Sequence, residues 1–566
     1  MLVAFNKAID AKPHSSVYMM HKYFARRPWN VFTELISHYS SPGEIVLDPF
    51  CGGGVTVFES LKLKRKAIGV DINPLATYVT EMQSRSLDPQ LFREALSNIY
   101  RRLGRDIESL YSTKCVRCGV KAVADWIEWD ERSKRMIRIK YDCPECKSSQ
   151  EKPPAQEDVR LAERIERNFT RSIGQRNLWF PKTRIPPGDK TNSLLSQNIN
   201  YFFELFTKRN LLALAMLRKE IEGLKNGEAR DFLEFAFSGS LKWASRHSHL
   251  RGQIVEGWAM HAYWIYPKSL EINVWNTFKR RAAAIVRGKS FSNQHIRNFC
   301  KFTDDFTDLA GDKATCLVLN RSSERLPFPD NSVDVVLTDP PYGGNVNYAE
   351  LADYWFIWRS RGRTIEKEDE VIINKTQRKT LNDYERMLHS VFRECCRVLK
   401  PGRCLVSTFN SRDLRVVASF VTAVSKAGFT LHPDGLLYQK PIRAYTTTFH
   451  AMQIGAFVGD FIFTFVKEEA LKSDSMKPAV ELAEFKRDMA ALVANAVQGG
   501  IAEPQVRELA YKKLIPFLGT HARTDLASCA EAVDFFEAKI KEQDLYFRDL
   551  RKRATETRRR RYAGTK

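Results

Sequence analysis

The sequence predicts an α/β protein: a doubly wound, Rossmann-like sheet split along the chain by a zinc-ribbon and helical insertion, with a helical extension behind it. Three observations carry this. First, the apolar runs at 45–47 and 68–70 end in Asp48 and Asp71 and flank a helix-like stretch at 55–63, a strand-helix-strand unit. Second, the pattern returns late, where VDVVL (333–337) runs into Asp339-Pro340-Pro341-Tyr342. An apolar helix over 384–399, the turn KPGR, the strand CLVSTF (404–409), a helix near 414–427 and an apolar run at 458–466 complete the sheet. Third, about 230 residues separate the two parts, far more than a connection needs, so they carry structure of their own.

The expected division is residues 1–83 and 313–470 as the two halves of one domain, with 84–312 as an inserted module. That module opens with a helix over 89–110, passes through a cysteine-rich ribbon at about 112–150, and continues helical, as at 199–224. Target recognition is expected there. Residues 471–566 read as a basic, helical C-terminal region whose tail carries the run RRRR at 558–561.

Lys and Arg outnumber Asp and Glu by 89 to 67, a formal net charge of +22, which favours a polyanionic partner through phosphate contacts and counterion release. The opening MLVAFNKAIDAKPH lacks the apolar core of a signal peptide, and no run is long and apolar enough to span a membrane. A cytoplasmic protein with no membrane partner is the expectation, its eleven cysteines reduced or metal-bound.

DPFCGGGVT (48–56) follows a strand and opens a helix, where glycines let backbone approach a cofactor. Gly52 and Gly54 provide the approach, Asp48 secures the loop and faces the cofactor's amino-acid end, and Asp71 suits ribose hydroxyls. No Gly-Lys-Ser/Thr is present, and Asp48 would repel phosphate. A cofactor carrying sulfonium and ammonium charge, S-adenosylmethionine, fits better.

Asp339-Pro340-Pro341-Tyr342 suits methylation of an exocyclic base amine, whose lone pair is delocalised into the ring. Asp339 and the Pro340 carbonyl can accept hydrogen bonds from the amine and localise that pair. The prolines preorganise the acceptors, and Tyr342 would stack on a base turned out of the duplex. A C5-cytosine mechanism needs a cysteine nucleophile, usually after proline, and no Pro-Cys occurs.

With these motifs the sequence resembles the amino-directed DNA methyltransferases, adenine-N6 and cytosine-N4, and in particular the adenine-specific DNA methylases that carry a zinc ribbon. The resemblance covers roughly residues 15–470. It rests on HKYFARRPWNVF (21–32), DPFCGGG, GVDINPLA (69–76), LFTKRNLLALAML (205–217), EINVWNTF (271–278) and DPPYGGNVNYAELADYWFIW (339–358). It implies that Asp339, Pro340, Pro341 and Tyr342 are catalytic and that Phe50, Gly52, Gly54 and Asp71 contact the cofactor. The preference for adenine over cytosine comes from the resemblance, as does a restriction or phage-defence partner. Two departures stand out: Val55 replaces a common Thr, and Ser322 and Ser323 stand where an acid often meets the cofactor's adenine.

Cys115-x2-Cys118 and Cys143-x2-Cys146, separated by KAVADWIEWD and KRMIRIKYD, have the spacing of a closed, structural tetrahedral zinc site. Lys114, Arg117, Lys121, Lys134, Arg135, Arg138 and Lys140 make this ribbon basic, as for a solvated face or for DNA phosphates. His247 and His249, with Arg246 and Arg251, are candidates for lining a DNA channel. Two other readings remain open: a tRNA guanine-N2 methyltransferase, which TDPPYG after LPFPDNSVD also resembles, and a noncatalytic DNA-binding subunit. The intact Asp48, Asp71 and Asp339 argue against the last.

Overall fold

Strands whose two faces are both buried read as continuous apolar runs, and those of this chain assemble into one mixed sheet. The computed structural model describes residues 2–258, 262–411, 413–439, 459–467, 480–522, 524–543 and 546–548. Along the chain, β1 (Ile45–Asp48) and β2 (Lys66–Asp71) precede a second sheet of β3 (Ser112–Lys114), β4 (Lys121–Asp130), β5 (Arg135–Cys143) and β6 (Ser148–Lys152). A hairpin of β7 (His249–Arg251) and β8 (Ile254–Glu256) follows, and then β9 (Lys268–Ile272), which pairs antiparallel with β4. The principal sheet adds β10 (Phe302–Thr303), β11 (Cys316–Asn320), β12 (Val335–Thr338), β13 (Cys404–Phe409), β14 (Phe429–Gln439) and β15 (Asp460–Lys467).

Its order is β10-β11-β2-β1-β12-β13-β15-β14, with β15 antiparallel to both neighbours. Strand order therefore reverses between β1 and β12, at whose carboxyl ends a crevice opens. Side chains alternate cleanly across the sheet. Val46, Val335, Leu337 and Val406 face a core shared with the helix Trp29–Tyr39, whereas Ile45, Leu47, Val336 and Leu405 face one shared with the helices Leu381–Val398 and Leu414–Lys426. The helices Leu482–Gln498, Glu503–His521 and Leu526–Glu542 complete the second core through Phe485, Met489, Leu514 and Phe536. No described helix is long and apolar enough to cross a membrane.

Two helix boundaries differ from expectation. The helix at 89–110 is widened at Tyr100–Gly104 into a π turn, where the Tyr100 ring stacks on Trp275 at 5.3 Å. The helix at 199–224 begins only at Lys208, because Phe202–Leu205 form a 3₁₀ turn and the Thr207 side chain caps the Asn210 N–H. The strand expected at 458–466 runs Asp460–Lys467, and RRRR at 558–561 lies outside the described residues.

The LFTKRN and EINVWN segments meet at Asn210. Asn210, fully buried, donates to the carbonyls of Ala244 (2.8 Å) and Ile272 (3.0 Å) and accepts from the Tyr111 hydroxyl at 2.6 Å. One amide thus joins three elements. Replacing it by alanine strands two buried carbonyls and a hydroxyl, so Asn210→Ala should lower stability by about 3 kcal/mol in urea unfolding; an unchanged midpoint would mean that the joint is carried elsewhere.

Candidate active site

The crevice at the strand reversal is a cleft with about 1000 Å³ of atom-free space, open to solvent. Its floor is the glycine loop. Gly52 (φ +45°) and Gly54 (φ +75°) are left-handed, a region that L side chains resist, and a Cβ on Gly54 would stand 2.8 Å from Thr80 Oγ1. The Gly52 N–H donates to Asp71 Oδ2 (2.9 Å) and the Phe50 N–H to Asp48 Oδ1 (3.1 Å). Asp48 Oδ1 also accepts from Thr338 Oγ1 at 2.7 Å, which links β1 to β12.

Burial pushes the Asp48 carboxyl up to about 7, against the hydrogen bonds from Thr338 and Phe50 that favour its charge. It raises Asp71 to about 6 against the N–H groups of Asn73 and Gly52. Charged side chains lining the cleft are Asp48, Asp71, Asp339, Glu366, Asp369 and Glu370, against Arg26 and Arg27. An acidic cleft thus sits within a chain of net charge +22. Phe50, Ser322 and Ser323 line it too, and Ser323 Oγ donates to the Pro49 carbonyl at 2.7 Å.

Asp339 follows β12 and is held on both oxygens. Oδ1 accepts from Thr408 Oγ1 (2.6 Å) and from the Tyr342 hydroxyl, and Oδ2 from Arg27 Nε at 2.7 Å. Arg27 Nη1 lies 3.0 Å from both oxygens of Asp460, its Nη2 meets the Tyr342 hydroxyl, and its guanidinium lies over the Tyr342 ring, 4.8 Å from the centroid. The ring expected to stack on a base is therefore covered on that side by a cation, with Phe409 edge-on at 4.7 Å. Asp339 and Asp460 raise the Arg27 pKa further above its ordinary value, outweighing burial. Pro340 is buried, and the Pro341 carbonyl accepts from the Tyr384 hydroxyl.

Arg27, Thr408, Asp460 and Glu370 were not anticipated. A signal for Arg27 was present, since a cation sits within HKYFARRPWNVF. Asp460 and Glu370 carry no pattern beyond an acid opening an apolar run and an acid within EKEDEV.

The four ribbon cysteines come together. Their sulfurs all lie within 4.8 Å of one another, with Cys118–Cys143 at 3.5 Å and Cys115–Cys146 at 3.9 Å. Tetrahedral thiolates about 2.3 Å from a zinc ion would stand about 3.8 Å apart, which this cluster approaches. The ribbon's cations are partly committed: Lys114 pairs with Glu157, Lys134 with Glu131, and Arg138 with Glu128 and Glu151. Of the two histidines, His247 is withdrawn from the surface and cannot line a channel. His247 is buried, with Nδ1 2.7 Å from the Trp264 carbonyl and its ring stacked on Trp258, so it is a packing residue; His249 stacks on Tyr266 at 3.7 Å. Arg246 is paired with Glu131 and Arg251 with Glu256.

A family model described as a DNA methylase, of the N6/N4 type, matches residues 6–82. These include Arg27, the glycine loop and Asp71 and end before Asp339. Type II methyltransferase M.MjaII of Methanocaldococcus jannaschii is 23% identical over 94 residues, 17% of this chain and 18% of that protein. Type II methyltransferase M.EcaI of Enterobacter cloacae is 34% identical over 58 residues, 10% of this chain and 13% of that protein. The chain thus spans less than a fifth of the length of either relative. A solved structure described as a DNA modification methylase, from Thermus thermophilus, aligns at 18% identity over 30% of this chain and 58% of that one, with a TM-score of 0.15, too little shared geometry for the fold to be read from it.

Removing Arg27 leaves Asp339 and Asp460 facing each other without their cation, a loss that is costly where side chains are mostly buried. Arg27→Ala should therefore lower stability by about 2–3 kcal/mol, and Asp460→Asn in the same chain should restore part of it. A double-mutant cycle by thermal unfolding reads the coupling, and additive effects would rule it out.

Proposed function

We propose that this chain is an S-adenosylmethionine-dependent DNA methyltransferase that modifies an exocyclic base amine, with adenine N6 as the preferred target. The observation that carries the reading is Asp339: a carboxylate oriented by Thr408 and Tyr342, facing an acidic cleft in a strongly basic chain. Basic surface suits a phosphate backbone, whereas the cleft suits a small cation. The residues fit this cofactor. Gly52 and Gly53 line the cleft without side chains and Gly54 supplies the left-handed turn behind them, Asp71 suits ribose hydroxyls, Asp48 and Phe50 complete the floor, and Ser322 and Ser323 offer hydroxyls where an acid often stands. The bound cofactor would supply the methyl group as an electrophile.

The protein's part is to receive the base. Asp339 and the Pro340 carbonyl accept hydrogen bonds from the amine and direct its lone pair, and Asp339 is placed to take the proton that the amine sheds after transfer. Tyr342 offers its ring to the base. For that, Arg27 must move off Asp339 and the Tyr342 ring, and Asp460 can retain it as a counterion.

In this reading residues 1–83 and 313–470 make one Rossmann-like catalytic domain, 84–312 the inserted module that recognises the target, and 471–566 a C-terminal region. The cysteine quartet holds structural zinc. A cytoplasmic setting and a restriction or defence-system partner accompany it.

Purified protein incubated with labelled S-adenosylmethionine and duplex DNA should yield N6-methyladenine by mass spectrometry, and Asp339→Ala should cut the rate at least about a hundredfold. Transfer to tRNA alone would sink the DNA reading in favour of guanine-N2 chemistry, and no transfer to either would favour a noncatalytic subunit. For the metal, one zinc per chain is expected by elemental analysis. Chelation should raise hydrogen exchange in 112–152 first; four freely titrating thiols in metal-free, fully protected protein would refute a zinc role.

A further inference from the structure

The segment 365–371 leaves the helix Tyr348–Arg359 and returns along the wall of the cleft, to which it contributes Glu366, Asp369 and Glu370. Glu370 differs from the other two. Only 6% of its surface is exposed, and its Oε1 accepts from the Ala349 N–H at 2.9 Å, in the first turn of that helix, which fixes the carboxyl group. Its Oε2 is buried and has no hydrogen-bond partner among the described residues. The nearby lysines do not satisfy it: Lys379 Nζ donates to the carbonyl oxygens of Lys367 and Glu370, and Lys367 Nζ to Asp353 and the Ile365 carbonyl. A buried carboxylate oxygen without a donor is costly, so its persistence at the wall of a cleft points to a donor that arrives with a ligand.

Position and charge narrow that ligand. Glu370 acts electrostatically on Tyr23 and Tyr348, whose rings stack at 5.9 Å, and a Cβ on Gly52 would stand 3.2 Å from Tyr23 Cε1. It therefore belongs to the part of the cleft that overlies the glycine loop. A carboxylate stripped of water is best met by a cation that also brings N–H donors. In S-adenosylmethionine the sulfonium has no N–H, and the α-ammonium has three.

Resting on the proposed function above, we propose that Glu370 Oε2 receives the α-ammonium group of the cofactor's amino-acid end. Oε1 meanwhile holds the first turn of the helix that carries Tyr348. Filling the cofactor site is thereby coupled, through one carboxyl group, to the segment that follows the catalytic tetrapeptide.

The test is calorimetric binding of S-adenosylhomocysteine, which keeps the ammonium, and of 5′-methylthioadenosine, which lacks it, to the full chain. Glu370→Gln keeps an oxygen for Ala349 and removes the charge, so it should weaken S-adenosylhomocysteine about tenfold or more and leave methylthioadenosine unchanged. Glu370→Asp, which withdraws the charge by one methylene, is the second variant should the first fail to fold, and the same selective weakening is expected. Equal loss of both ligands would make Glu370 a shaper of the cleft and overturn the assignment. Unchanged S-adenosylhomocysteine binding would overturn it as well while leaving the methyltransferase reading intact, and wild-type protein that binds neither compound would overturn that reading and the assignment together.

Discussion

The Asp48 carboxyl group sits where the order of the sheet reverses, and it joins the two sides of the cleft. Through one oxygen it joins β1 to β12 by way of Thr338 and starts the glycine loop by way of the Phe50 N–H. Asp71 holds the other side of the loop through Gly52. The loop is thus suspended between two acids, and burial makes both reluctant to ionise. A cation in the cleft reverses that balance, because it stabilises the form that its own hydrogen bonds already favour.

The same electrostatics explain the arginine at Asp339-Pro340-Pro341-Tyr342. Two carboxylates, Asp339 and Asp460, close on a mostly buried site would repel each other, and Arg27 lies between them. Its planar fork spreads N–H donors over three separate nitrogens and so spans Asp339, Asp460 and Tyr342 at once, where a lysine would offer a single nitrogen. The guanidinium presents an N–H donor to Asp339 and a positive face to Tyr342, the two groups that the proposed function assigns to the target base.

Most of the sheet was legible in the sequence because its strands obey a simple rule: short, buried on both faces, and ended by a polar residue at the crevice. CLVSTF became β13 without a change of boundary, and the helix before it starts where Thr380 and Asp383 cap it. The candidate site was legible only where its residues are neighbours in sequence. Asp48 to Gly54 and Asp339 to Tyr342 form local motifs, whereas Arg27 lies 312 residues from Asp339 and 433 from Asp460. No periodicity reports a partner at that distance. His247 shows the converse error: SRHSH is polar as a string, yet this side chain offsets its burial with a carbonyl hydrogen bond and stacked rings.

The insertion is long, but it is not a bead on a string. β9 pairs with β4 and leads directly, across the Asn273 cap, into the helix Val274–Ile296, so the sheet that carries the cysteine cluster is tied by strand hydrogen bonds to that long helix. One apolar cluster then runs from Cys143 and Ile139 in the ribbon sheet through Trp275 and Trp355 to Val46 and Val335 in the principal sheet. Trp355 packs against His21 and Phe24, which open the segment ending in Arg27. Cores packed this densely shift as units rather than deform locally. The ribbon sheet and the segment that ends in Arg27, the arginine that covers Tyr342, therefore share one continuous core through Trp355.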